Sequence, residues 1–123
     1  MRLVRVENVT RGTLLGSRVA VADRFWARLR GLLFRPPLDS GAGLLLKPCR
    51  AVHMAGMRQS LDVVFLDAAG TVVATYADLK PGGRTTWHGA AQSALELPPG
   101  TLGRTGTTIG DALTCTAGCK ELT

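Results

Sequence analysis

His53, Arg58 and Asp62 fall within one ten-residue stretch and bring together three side-chain types suited to holding or acting on a polar ligand. Imidazole changes charge near neutral pH, a guanidinium presents a planar fork of donors matched to carboxylate or phosphate, and a carboxylate can orient either group. If the chain from Met57 to Asp62 turns back beside His53, the three converge as a general base, an anion clamp and an orienting acid. The same residues have a plainer reading. Asp62 can pair with Arg58 or cap a turn, and His53, set between Val52 and Met54, can be a hydrogen-bonded residue of the core. Spacing alone leaves both open.

Beyond this cluster the chemistry thins. His88 follows Trp87 in an irregular stretch after Gly82-Gly83, a place where a loop can close over a pocket. A metal site built from His53, His88 and Asp62 has no short ligand spacing behind it, so neither metal nor other cofactor is expected. The chain has no glycine-rich phosphate loop, no Gly-x-Ser-x-Gly elbow and no paired-carboxylate motif. Arg24, Arg28 and Arg35 share one helical stripe with Gly31. A glycine inside a helix costs about 1 kcal/mol relative to alanine, which close approach of a ligand or of a neighbouring strand would explain. The candidate ligand-binding set is therefore His53, Met57, Arg58 and Asp62, joined by Arg28 and Arg35. Gly110-Asp111 reads as a structural turn, because a carboxylate can accept several backbone bonds at once.

The elements that must position these groups are short and mostly extended. Arg2–Val6 and Leu14–Ala22 are β-branched and bounded by turn residues, and both read as strands. From Asp23 the period changes: Phe25, Trp26, Leu29, Leu32 and Leu33 mark one apolar helical face, with Asp23 as N-cap and Pro36-Pro37 as terminator. Leu44–Leu46 reads as a buried strand. Leu61–Asp67 and Thr71–Thr75 form a hairpin about Asp67-Ala-Ala-Gly70, taken as central to the sheet. Ser93–Leu97 is a strand closed by Pro98-Pro-Gly100, and a turn and strand end at Leu113, followed by a tail from 114 to 123 expected to fray.

Arg28-x-x-Gly31-Leu32 with Arg35, Val52-His53, Gly56-Met57-Arg58, Leu61–Asp67 with Gly70, Leu95-Glu96-Leu97 with Gly100, and Gly110-Asp111 occur in an order and spacing that resemble the domain-of-unknown-function 192 family. The resemblance runs from about Ala22 to Leu113 and implies no established activity. The chain departs from the family pattern at Ala55, where an aromatic is usual, and at Ser60, where a proline is usual. The stretch from Leu102 to Leu113 also resembles the Gly-Asp turn of small cradle-like β-barrels.

Composition bounds the rest. The 123 residues suit one domain, placed at 1–113; 46% are hydrophobic, and three Phe, two Trp and one Tyr leave the core to aliphatic side chains. The fold expected is α+β: a β-rich compact small barrel or two packed sheets with one principal helix. The net charge of +6 is concentrated in residues 1–58, which carry 11 Lys and Arg against three acids. The arginines are scattered without a basic run or interleaved aromatics, so nucleic acid is not expected as a partner. No segment is long and apolar enough to span a bilayer, and Arg5 and Glu7 interrupt any leader, so a cytoplasmic location is expected. Three cysteines, Cys49, Cys115 and Cys119, read as free thiols. The function expected is a non-catalytic binding module for a small anionic or polar ligand or an extended peptide. The alternatives are a hydrolase-like enzyme using His53 and Asp62, and a structural or adaptor protein.

Overall fold

A computed structural model describes residues 2–22, 38–55 and 57–117. Seven strands, β1 (Arg2–Asn8), β2 (Thr13–Ala22), β3 (Ala42–Leu46), β4 (Leu61–Leu66), β5 (Val72–Leu79), β6 (Ser93–Leu97) and β7 (Leu113–Ala117), form one sheet, and a short helix, α1 (Thr101–Thr105), joins β6 to β7. The architecture is thus the β-rich α+β fold expected. The helix expected between Asp23 and Arg35, and with it Arg24, Arg28, Gly31 and Arg35, lies outside the described residues, as do Gly56 and Cys119.

The strand order is β5-β4-β6-β3-β2-β1-β7. Every pairing is antiparallel except β2 with β3, whose parallel register from Arg18↔Ala42 to Ala22↔Leu46 demands a long crossover between them. The hairpin taken as central, β4 with β5, lies at the sheet's margin instead, because β6 inserts on the other side of β4. The sheet curls until its two outer strands meet. Val72 N–H donates to the Asp111 carbonyl (2.9 Å), Gly110 N–H to Val72 (2.9 Å) and Leu113 N–H to Gly70 (2.9 Å), stitching the start of β5 to the segment entering β7.

Curling gives the sheet two buried faces. β4 is buried along its whole length, the pattern of a strand covered on both sides. Val64 and Leu66 pack inside the curl with Val4, Val6, Leu15, Val19, Leu45, Val72, Leu95, Leu97, Leu102 and Leu113. Leu61, Val63 and Phe65 face the opposite way, onto a second cluster with Val52, Met54, Ala74, Ala91 and Ala94. The second cluster is roofed by the segments before β4 and before β6.

Two departures from expectation lie at the C-terminal end. β7 pairs with β1 from Asn8↔Leu113 to Val4↔Ala117, so it begins where the expected strand was to end and occupies the first residues of the expected tail. Helix α1 has only five residues, one of them Gly103, and carries too little periodicity to be read from sequence.

Candidate functional site

Asp62 is the second residue of β4 and is 1% exposed. Its Oδ1 accepts the Asp78 N–H at 2.8 Å and its Oδ2 accepts the Leu102 N–H at 2.8 Å, so one carboxylate fastens the end of β5 and the first turn of α1. Asp78 has φ of 55°, a left-handed conformation that the Asp62 bond helps to hold. By strand alternation Asp62 shares the interior face with Val64 and Leu66, whereas Val52 and Met54 pack against the opposite face with Leu61, Val63 and Phe65. His53, between Val52 and Met54, is exposed and forms an isolated antiparallel bridge with Arg84. The geometry therefore separates Asp62 from His53, and of the two sequence readings of Asp62 the turn-holding one describes its contacts.

Arg58 is exposed, just beyond a turn in which Met57 N–H donates to the Met54 carbonyl at 3.1 Å. Met57 itself is half-buried against the second cluster. His53, Met57 and Arg58 thus belong to one segment and one side of the sheet; Arg28 and Arg35 lie outside the described residues.

That side carries a feature not foreseen. The stretch from Arg84 to Ala91 is irregular, as expected, yet it is tied backbone to backbone against residues 49–54 rather than free to close. Cys49 N–H donates to Gln92 (3.1 Å), His88 N–H to Arg50 (2.8 Å), Thr85 N–H to Val52 (2.9 Å), Met54 N–H to Gly83 (2.7 Å) and Gly82 N–H to Met54 (3.0 Å). Thr85 turns inward, its hydroxyl accepting the Val52 N–H at 3.0 Å. Neither segment contains an acid: residues 40–61 carry Lys47, Arg50 and Arg58, and residues 79–95 carry Lys80 and Arg84, with both histidines of the chain and no Asp or Glu. Lys80 pairs with Asp78 at 2.6 Å, but Arg50, Arg58 and Arg84 are exposed and enter none of the ion pairs among the described residues. A low-acid, arginine-bearing ladder concentrates positive potential along one strip.

A polar and aromatic cluster anchors the strip from beneath. His88 Nε2 lies 2.7 Å from the Tyr76 hydroxyl, and the Thr86 hydroxyl stands 3.4 Å from both. The His88 ring rests 4.7 Å from Phe65, centroid to centroid, and 5.6 Å from Tyr76. Trp87, flanked by these anchored residues, is 71% exposed. Glu96 of β6 is buried at 2% exposure, in register with Leu44 and Val63 on the strip's side of the sheet. Arg50, Arg84, Trp87 and the Tyr76–His88 pair escape motif reading because long-range backbone pairing assembles them. The sequence signal available was the missing acid in both segments.

On the far side, Asp111 is buried and its Oδ2 gathers the Arg11 Nε–H (3.0 Å), the Asn8 amide (3.0 Å) and the Thr108 N–H (3.1 Å). The Arg11 and Asn8 bonds, with the Thr108 N–H and the Arg11 charge, push its carboxyl down to about 2. Asn8 also donates to Thr107 at 3.0 Å and accepts from the Arg11 backbone at 3.0 Å, joining the β1–β2 turn to the Gly110-Asp111 turn. The contacts are those of a structural turn.

A curled seven-stranded sheet, fastened by an Asp turn and bearing a basic strip on its outer face, defines a small barrel-like β domain. The chain belongs to the DUF192 family, described as uncharacterized, whose sequence model matches residues 6–115. The match takes in the end of β1 and all of β2, which precede the stretch from about Ala22 to Leu113 except for Ala22 itself. A UPF0127 protein of Thermococcus sibiricus is 33% identical over 113 residues, spanning 86% of this chain and 71% of that protein. A UPF0127 protein of Pyrococcus furiosus is 33% identical over 109 residues, spanning 86% of this chain and 93% of that one. Among solved structures, a candidate transcription regulator from Sinorhizobium meliloti superposes with a TM-score of 0.73 at 24% identity, over 93% of this chain and 92% of that one. A protein of unknown function from Novosphingobium aromaticivorans gives 0.74 at 23% identity, over 91% and 83%. These two likenesses speak to the fold alone. No helix among the described residues is long and apolar enough to cross a membrane.

Proposed function

We propose that this domain binds a small anionic ligand on the strip formed by residues 49–55, 57, 58 and 82–92, and that it does so without catalysing a reaction. The observation that carries this reading is the pairing of two acid-free segments, which brings together the backbones that carry Arg50 and Arg84, with Arg50, Arg58 and Arg84 all exposed. Guanidinium forks bind carboxylate or phosphate through paired, charge-assisted hydrogen bonds, and no neighbouring acid in either segment competes for them. His53 is bridged to Arg84 and therefore lies on the same face of the ladder. The hydrolase-like alternative loses its orienting acid, since both Asp62 oxygens hold backbone N–H groups on the other side of the sheet.

Calorimetric titration with inorganic pyrophosphate tests the proposal. Arg50→Ala, Arg58→Ala and Arg84→Ala are each expected to weaken binding by about fivefold or more, the loss of roughly one charge-assisted hydrogen bond. Arg104→Ala, on α1, should leave affinity unchanged, and a chelator should change neither binding nor stability. Undiminished affinity in all three strip variants contradicts the reading.

A further inference from the structure

Resting on that reading, we infer that the anion is a phosphate carried on a planar ring, as in a nucleotide, and that Trp87 is the platform on which the ring stacks. Among the described residues the large apolar side chains left in solvent are Leu3, Val9, Trp87 and Ile109, and only Trp87 stands on the basic strip. Its exposure is not that of a loose loop. On one side Thr86 N–H reaches the Tyr76 oxygen at 3.4 Å and the Thr86 carbonyl accepts the Thr85 hydroxyl at 2.9 Å. On the other, His88 N–H is held by the Arg50 carbonyl at 2.8 Å, and the His88 ring is pinned between Phe65 and the Tyr76 hydroxyl. The backbone on both flanks of Trp87 is therefore fixed while 71% of the residue faces water.

The His88 bond to Arg50 also fixes the neighbourhood. It brings the backbone next to Trp87 within hydrogen-bond distance of the backbone that carries Arg50, while Arg84 stands three residues before Trp87 opposite His53. An indole face attracts planar rings by stacking, and arginine forks favour the doubly charged phosphate over a singly charged carboxylate. A ring with an attached phosphate is the ligand that uses both at once. A sugar phosphate would use the arginines and leave the indole face without a planar partner.

The test titrates wild type with adenosine 5′-monophosphate, ribose 5-phosphate and inorganic phosphate, and repeats the series with Trp87→Ala and Trp87→Phe. The monophosphate is expected to bind about tenfold or more tighter than ribose 5-phosphate, as one stacked base provides. Trp87→Ala should bring the nucleotide down to the affinity of ribose 5-phosphate, and Trp87→Phe should keep part of the preference. Equal affinity of the two ligands for wild type, or a preference that survives in Trp87→Ala, overturns the ring while leaving the anion reading intact. Failure of all three phosphate probes to bind wild type overturns both.

Discussion

Two buried aspartates of this chain act as fasteners, and their contacts tell them apart from the strip. Asp62 holds two backbone donors that would be left unsatisfied in an apolar interior without it. Asp62→Ala should therefore destabilise the fold by on the order of 2 kcal/mol or more, read as a lower denaturant midpoint, and Asp62→Asn, which keeps one acceptor, by less. Binding of pyrophosphate to the fraction that remains folded should be unchanged, since the Asp62 carboxylate faces away from the strip. Asp111 makes a prediction about pH. Its carboxyl is pushed from an ordinary 3.8 down to about 2, chiefly by the Arg11 and Asn8 hydrogen bonds. The unfolded chain then takes up that proton at a higher pH than the folded one. The stability Asp111 contributes is complete above the ordinary value and is lost as pH falls from there through about 2. Circular dichroism melts across that window should show a steep loss in wild type and a flatter one in Asp111→Ala, which should melt several degrees lower at neutral pH.

Closure of the sheet depends on the hairpin between β4 and β5. Gly70 has φ of 88°, and a Cβ there would lie 2.7 Å from the Leu113 carbonyl oxygen that approaches it across the seam. Gly70→Ala should cost more than 1 kcal/mol, because the substitution meets both an unfavourable φ and fixed backbone. Faster amide exchange confined to Gly70, Val72, Gly110 and Leu113 would place the damage at the seam. The elements themselves were largely legible: β-branched runs between turn residues mark the strands, and Asp67-Ala-Ala-Gly70 marks its turn. Their neighbours were not. Nothing local in Leu61–Leu66 says that β6 lies beside it, and α1 is too short for its period to register. The site was legible as chemistry and not as geometry. His53 and Asp62 lie nine positions apart in sequence, yet the sheet runs between their surroundings, and Arg84 joins His53 only through a bridge spanning thirty-one positions.

At the scale of the whole molecule, charge is sorted by the fold more sharply than by the sequence. Residues 59–123 hold six acids against four bases, and yet their stretch from 79 to 95 holds none of those acids and is laid against an equally acid-free stretch from the basic half. Asp62, Asp67, Asp78 and Asp111 are spent on turns, backbone donors or a lysine, through the bonds each accepts. Because the strip's arginines are exposed, its attraction for anions should fall with added salt. Affinity for pyrophosphate measured at rising sodium chloride is expected to drop steadily, while a ligand held by apolar contacts would show little change. The most direct test of the account is where an anion lands. Amide chemical shifts of the labelled protein, followed during a pyrophosphate titration, should move most in residues 49–54 and 82–92. Largest shifts in residues 2–18 or 101–111, with the strip unmoved, would contradict it.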